Sequence, residues 1–389
     1  MTAKARIAGC GIVSTLGAGL ATNLDALKTG KGNFSLRTLE GFNEPVEAAF
    51  LATDSSVGED ATERFKTLID QTLEETLAGI ELMPEQRRSL PIFIGSSSYG
   101  IGIGEDLYRQ ALGREEHSGT PAQPLPLDGF TLIARHLRRQ HGLNGPDYTF
   151  NTACTAGANA LLSAANSIAQ GHHEYALVLG LETFNATTLS GFFGMQLLSG
   201  EAMKPFDQNR SGLVLGEGCA CILLKAASAE ETGILFKGGA SGCDSHSISA
   251  SNPDGSSIAA VIQEALEACG LQPADIAAVK AHGTASPLND DGEAAGMRRV
   301  FDCVPPFFSL KSYIGHTLGS CGVLETVLMA GCLERGQLPI SAGFTDRDPT
   351  LGVTPLQHTE DALPGHYMLN FFGFGGNNCS LILQSGARY

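Results

Sequence analysis

The chain has 389 residues, enough for two or three units around a large buried core. Hydrophobic residues make up 43% of it and charged residues only 17%, with 48 glycines, a balance that excludes a disordered or fibrous chain. Lysine and arginine total 25 against 41 aspartates and glutamates, a net charge of −16, and this excludes nucleic acid as a partner because phosphate binding needs a basic face.

The chain opens on strand-like, glycine-rich sequence over residues 1–17, without the cleavable apolar stretch of a secretory signal. Nor does it hold an uninterrupted apolar run of roughly 18 residues, so no membrane span and a cytoplasmic location are expected. Strand patterns at 6–13, 91–94, 175–179 and 219–224 alternate with helical patterns at 62–78 and 158–169. Residues 105–128, rich in proline, read as an irregular excursion. A polar stretch at 225–233 marks a seam, after which strands at 234–237, 276–281 and 380–383 accompany a helix at 256–269. The alternation predicts an α/β fold with buried central sheets. Laying residues 154–157 (Cys-Thr-Ala-Gly) on 316–319 (His-Thr-Leu-Gly) suggests duplicated halves, 1–230 carrying Cys154 and 231–389 carrying the two histidines discussed below. The ten cysteines are scattered through apolar segments and suit reduced thiols better than a disulfide framework. No cysteine pair has zinc-site spacing, His172 and His173 lack companion ligands, and no structural metal is expected.

Residues 151–160 read Asn-Thr-Ala-Cys-Thr-Ala-Gly-Ala-Asn-Ala, which puts the Cys154 thiol among small residues just before a helical run. There it would meet unpaired backbone N–H groups and the positive end of the helix dipole, which favour the thiolate and lower its pKa. The same N–H groups could hold the oxyanion formed when a thioester is attacked. With ten cysteines in the chain, a buried structural role competes for any one of them. His282, at a strand end in 281–286, and His316, before a glycine-rich helix in 315–319, would each read alone as a hydrogen-bonded loop residue. Together with Cys154 they form a set suited to covalent catalysis.

Six ordered segments carry a resemblance that covers nearly the whole chain: residues 7–17, the Thr-Ala-Cys motif at 152–154, residues 205–212, 281–284, 311–316 and 370–376. In these the chain resembles the β-ketoacyl carrier-protein synthases of the elongating kind. The resemblance implies a thiolase-like α/β fold, with duplicated halves each built on a mixed central sheet in five αβαβα layers. It implies that Cys154 accepts an acyl group from a carrier protein's phosphopantetheine thioester. His282 and His316 would bind and decarboxylate a malonyl thioester, and the N–H groups of Cys154 and Phe374 would form the oxyanion hole. No metal or redox cofactor is implied, since loss of CO₂ unmasks the nucleophilic carbon.

The resemblance further implies that Lys311 and Glu325 form a buried pair acting on His316, and that Thr284 and Ser286 contact the pantetheine arm. Asp290 and Glu293 fall on structural acidic positions. Phe193 and Phe374 match gating aromatics, Asp244 lies in the loop that moves with them, and Phe371 replaces a small residue, so that its ring should reshape the acyl site. Docking of an acidic carrier protein is assigned to Arg64 and Lys66, with Arg135, Arg138 and Arg139 as a second cluster. Initiation-type synthases usually have Asn in place of one histidine, and thiolases add a second catalytic cysteine where Phe374 stands. A chain-length-factor subunit would lack the nucleophile. The short chain, Phe371 and Asn377 point toward a polyene or polyketide pathway such as aryl polyene synthesis. A homodimer, or a heterodimer with a chain-length-factor homologue, is expected, with residues 95–104 near the partner.

Overall fold

The computed structural model of the chain describes residues 5–32, 35–39, 46–51, 61–118, 129–200, 202–228 and 232–386. Its main sheet is built twice over on one plan. From the outer edge inward the first half runs Asp147–Phe150, Ile92–Gly95, Tyr175–Glu182, Gly218–Ala226 and Ala5–Ser14. The second runs Phe307–Phe308, Ile276–Lys280, Gly365–Phe372, Asn377–Ser385 and Ile234–Cys243. In both halves the successive pairings are parallel, parallel, antiparallel and antiparallel. The innermost strands join through Ala5 opposite Phe236 and Arg6 opposite Leu235.

Five layers follow from where the helices lie. Ala61–Leu77 covers the outer face of the first half, and Ser256–Cys269 with Pro287–Val300 covers that of the second. Between the halves, Ala156–Ala169 and Cys321–Arg335 pack against each other. Cys321–Arg335 is buried from Cys321 through Leu333, as suits a helix that is apolar on nearly every face. Its approach to Ala156–Ala169 depends on two glycines. A Cβ on Gly322 would lie 2.0 Å from the Ala158 nitrogen, and one on Gly157 would lie 3.0 Å from the Val323 nitrogen. The strand Tyr175–Glu182 is buried on both faces after its first residue, hence its unbroken apolar run.

Three expectations are corrected here. Residues 105–118 are not irregular, because they belong to the helix Ile101–Ser118. Pro121, Pro124 and Pro126, which suggested disorder of pattern, all fall in 119–128, outside the described residues. The strand read at 234–237 continues to Cys243, and Gly239 serves close packing rather than a break, its Cβ being 2.3 Å from the Ser380 carbonyl oxygen. The internal repeat is also shifted by three residues. Ala153 (φ 51°) and Leu318 (φ 46°) are non-glycine residues in the left-handed region, and each opens a 3-10 turn that feeds a central helix. Cys154 therefore corresponds to Gly319, and Gly157 to Gly322, while His316 stands two residues before its turn. The shared Thr-x-Gly spelling hid this register. Of the expected seam, residues 229–231 lie outside the described residues.

Candidate active site

Cys154 occupies the 3-10 turn Ala153–Thr155 at the entry to Ala156–Ala169. The left-handed backbone of Ala153 costs energy that only the surrounding packing can sustain, as is common where a reactive side chain is aimed. The thiol is buried, with His316 Nε2 3.0 Å from Sγ. Backbone N–H groups of Phe374 and of Cys154 itself also reach the sulfur. Gly373 lets that loop close in, since a Cβ there would lie 3.1 Å from the Cys154 nitrogen. Burial pushes the thiol up to about 11, against the pull of the Lys311 charge and the Phe374 N–H. Where the sequence suggested a lowered pKa, burial is the largest influence on this thiol and acts upward.

His282 and His316 meet at right angles, ring centres 5.4 Å apart. Burial holds both well below the ordinary histidine value, and the Lys311 and Lys280 ammoniums add to the effect, so both are neutral at pH 7. Their tautomers are set differently. Lys311 Nζ lies 3.3 Å from His282 Nδ1, and since an ammonium only donates, Nδ1 accepts and the His282 proton sits on Nε2. His316 Nδ1 is buried and makes no hydrogen bond among the described residues, so nothing fixes its proton. Glu293 orients the His282 loop by accepting from the His282 and Gly283 N–H groups at 2.8 and 2.9 Å. Asp290 accepts from the Phe206 N–H at 2.8 Å, which ties the 205–212 segment to the same loop.

Lys311 Nζ donates to Glu325 Oε1 at 2.6 Å, so the expected pair is in place, although its direct contact is with His282 rather than His316. Sequence reasoning missed a third member. Lys280 Nζ donates to Glu325 Oε2 at 2.5 Å, inside the protein. Also missed was Glu182, a fully buried carboxylate that accepts from the backbone and hydroxyls of Ser97 and Ser98 and whose pKa burial raises. Lys280 ends an apolar strand run, where a lysine reads as reaching for solvent, so only distant pairing reveals it.

The cleft over Cys154 encloses about 560 Å³, open solvent included. Cys154, His282, Thr284, Ser286, His316 and Phe374 line it, as expected. Phe193 does not. The adjacent Phe192 lines it instead and stacks on Phe374, with centroids 5.6 Å apart. Phe371 also lies outside the lining, because successive strand residues face opposite ways: Phe372 faces the cleft while the Phe371 ring sits under the Lys280 ammonium at 3.6 Å. Asp244 is likewise off the lining. Its carboxylate accepts from the N–H groups of His246 and Asn252 and from the Ser257 hydroxyl, and its own N–H donates to the Gly376 carbonyl at 2.7 Å.

Arg64 is not free for docking, since its guanidinium pairs with the buried carboxylate of Glu217. Lys66 is half-buried and pairs with Glu63 at 2.7 Å. In the second basic cluster, Arg138 pairs with Asp147. Away from the cleft, His136 and His141 each place Nε2 2.6 Å from one oxygen of Asp70, a grouping with metal-ligand chemistry that the carboxylate alone also satisfies. Among the described residues no helix is long and apolar enough to cross a membrane.

Two family profiles match this arrangement, "Beta-ketoacyl synthase, N-terminal domain" over residues 23–230 and "Beta-ketoacyl synthase, C-terminal domain" over 234–345. The chain belongs to the β-ketoacyl synthase family. It is a condensing acyltransferase of thiolase-like fold. Among relatives of this β-ketoacyl synthase, a mitochondrial 3-oxoacyl-[acyl-carrier-protein] synthase of Arabidopsis thaliana is 28% identical, covering 97% of this chain and 92% of its own. A 3-oxoacyl-[acyl-carrier-protein] synthase 2 of Synechocystis is 31% identical, covering 75% and 74%. A ketosynthase solved in complex with its chain length factor, from Xenorhabdus doucetiae, is 26% identical with a TM-score of 0.84, covering 99% and 98%.

Proposed function

We propose that this β-ketoacyl synthase elongates acyl chains carried on acyl carrier protein, by decarboxylative condensation at Cys154. The supporting observation is the convergence on one sulfur of His316 Nε2 and two backbone N–H groups, with the His282 ring at right angles to that of His316. In loading, Cys154 attacks the carrier protein's thioester carbonyl. Its proton passes to His316 Nε2 and on to the departing pantetheine thiol as the carbon–sulfur bond breaks. The unfixed tautomer of His316 suits this double task. In condensation, the Nε2–H groups of His282 and His316 hold the malonyl thioester oxygen. The bond to the carboxylate breaks, CO₂ leaves, and its electron pair remains as an enolate. The enolate carbon attacks the acyl-Cys154 carbonyl, whose oxyanion is held by the N–H groups of Cys154 and Phe374. Collapse expels the sulfur, which takes a proton from solvent, and releases a 3-oxoacyl chain on the carrier protein. This sequence calls on neither metal nor redox cofactor.

The pathway reading favours polyene or polyketide synthesis, aryl polyenes included, in the cytoplasm. It is supported by likeness to a ketosynthase that works beside a chain length factor, and it makes such a homologue, or a second copy, the dimer partner. The position of Phe371 removes one of its earlier supports, since that ring does not line the cleft. Incubating Cys154→Ala and the natural chain with a panel of acyl carrier proteins, followed by intact-protein mass spectrometry, tests the nucleophile and the substrate together. The natural chain should gain one acyl mass and the variant none; an adduct on the variant would assign the nucleophile elsewhere.

A further inference from the structure

Beneath the two histidines, one carboxylate serves two ammonium groups. Glu325 accepts from Lys311 at 2.6 Å through Oε1 and from Lys280 at 2.5 Å through Oε2, with all three side chains fully buried. Two positive charges against one negative leave a surplus of one. Lys280 is sealed on its other sides by the Asn370 carbonyl at 2.7 Å and by the face of Phe371, with the ring centre at 3.6 Å. Carboxylate, carbonyl and ring face account for the three N–H directions of an ammonium, so the site is built to hold the charged form. Burial still works against it and lowers Lys280 to about 8, with Lys311 adding repulsion and Glu325 attraction.

We propose that Lys280 is a positioning residue whose surplus charge, held beneath the two histidines, makes the cleft attractive to the malonyl carboxylate and the enolate that follows it. This rests on the condensing role given to those histidines. The charged and titratable groups around Lys280 come from every packed element. They are Glu325 and Cys321 on Cys321–Arg335, Lys311 on the short helix Lys311–Ile314, Cys379 on Asn377–Ser385, Glu293 on Pro287–Val300, and the two histidines. Of these, Glu325 is the carboxylate that touches Lys280, and Glu293 is occupied by the His282 and Gly283 N–H groups. At Cys154 the nearby charge that lowers the thiol is Lys311, so the loading step should depend little on Lys280.

Lys280→Met keeps the length and apolar stem and leaves Glu325 paired with Lys311. In the full chain, Cys154 acylation by mass should stay within a few-fold of natural, while malonyl decarboxylation falls roughly tenfold or more. With a neighbouring positive charge gone, the histidines gain protons more easily, so the acid limb of the decarboxylation profile should move to higher pH by roughly one unit. Phe371→Leu keeps the lysine but removes the ring that shelters its charge, and should move the alkaline limb to lower pH. A folded Lys280→Met with the natural profile overturns the proposal. If that variant does not fold, an unmoved alkaline limb in Phe371→Leu overturns it. Failure of the natural chain to decarboxylate malonyl carrier protein would instead reject the condensing role itself.

Discussion

His282 and His316 are equally buried and their rings meet at right angles, but only one has its proton assigned by a neighbour. This asymmetry predicts separable defects. His282→Ala and His316→Ala should each slow malonyl decarboxylation by about 10²- to 10⁴-fold, the usual worth of a positioned acid–base group. His316→Ala should slow loading as well, because it removes the acceptor at 3.0 Å from the sulfur, whereas His282→Ala should leave loading within about tenfold. Single-turnover loading and CO₂ release, measured separately, check the split. Condensation at near natural rate in either variant would remove that histidine from the set. Cys154, His282 and His316 were legible because each stands beside small residues and glycines at a turn, where a side chain is presented rather than packed. Lys280 and Phe192 were not. The lysine's partner is 45 residues away in sequence, and the choice between Phe192 and Phe193 depends on helical phase against a pocket wall that sequence does not display.

At the scale of the element, the helix Ala61–Leu77 shows how far an exposed-looking residue departs from a buried fact. Arg64 reads as a surface cation, yet it neutralises a carboxylate 153 residues further on that has no solvent exposure. Arg64→Met should remove the counter-charge of a buried carboxylate and destabilise the chain by about 3–5 kcal/mol, the cost of breaking a buried ion pair from one side. Urea denaturation measures this, and loss of carrier-protein affinity without loss of stability would return Arg64 to the docking surface. Between the halves, Gly322→Ala should cost at least about 3 kcal/mol, because the new methyl meets the Ala158 backbone and neither helix can retreat. A soluble Gly322→Ala variant with the natural urea midpoint would contradict that crossing. The strands and helices themselves were largely legible from period and apolar runs. The repeat register was not, because it is fixed by two left-handed backbone residues, Ala153 and Leu318, whose side chains give no hint of it.

Taken as a whole, the molecule is rich in thiols that burial keeps protonated. Cys154 is pushed up to about 11, Cys10, Cys219 and Cys332 to about 12, and burial raises Cys221, Cys321 and Cys379 as well. Unfolded, each would titrate near 9. Above that value the unfolded chain binds fewer protons than the folded one, so stability falls as pH rises. Each thiol contributes up to about 1.4 kcal/mol per pH unit, and the contribution, intact below pH 9, is lost as pH climbs toward the folded values. Seven raised thiols outweigh the single opposing contribution of Lys280, so denaturation midpoints should drop as pH climbs beyond 9, while midpoints level from pH 9 to 11 would refute it.

The correspondence of Cys154 with Gly319 also bears on ancestry. If one half arose as a copy of the other, both once offered the same turn at the mouth of a central helix, and either could have carried the nucleophile. That choice is now closed on one side. A Cβ on Gly319 would stand 2.4 Å from the Ser97 nitrogen and 2.9 Å from Glu182 Oε1, so no single substitution can restore a thiol there. The second copy has given its turn over to supporting the first, and its histidines became its contribution, a specialisation that point mutation alone cannot reverse.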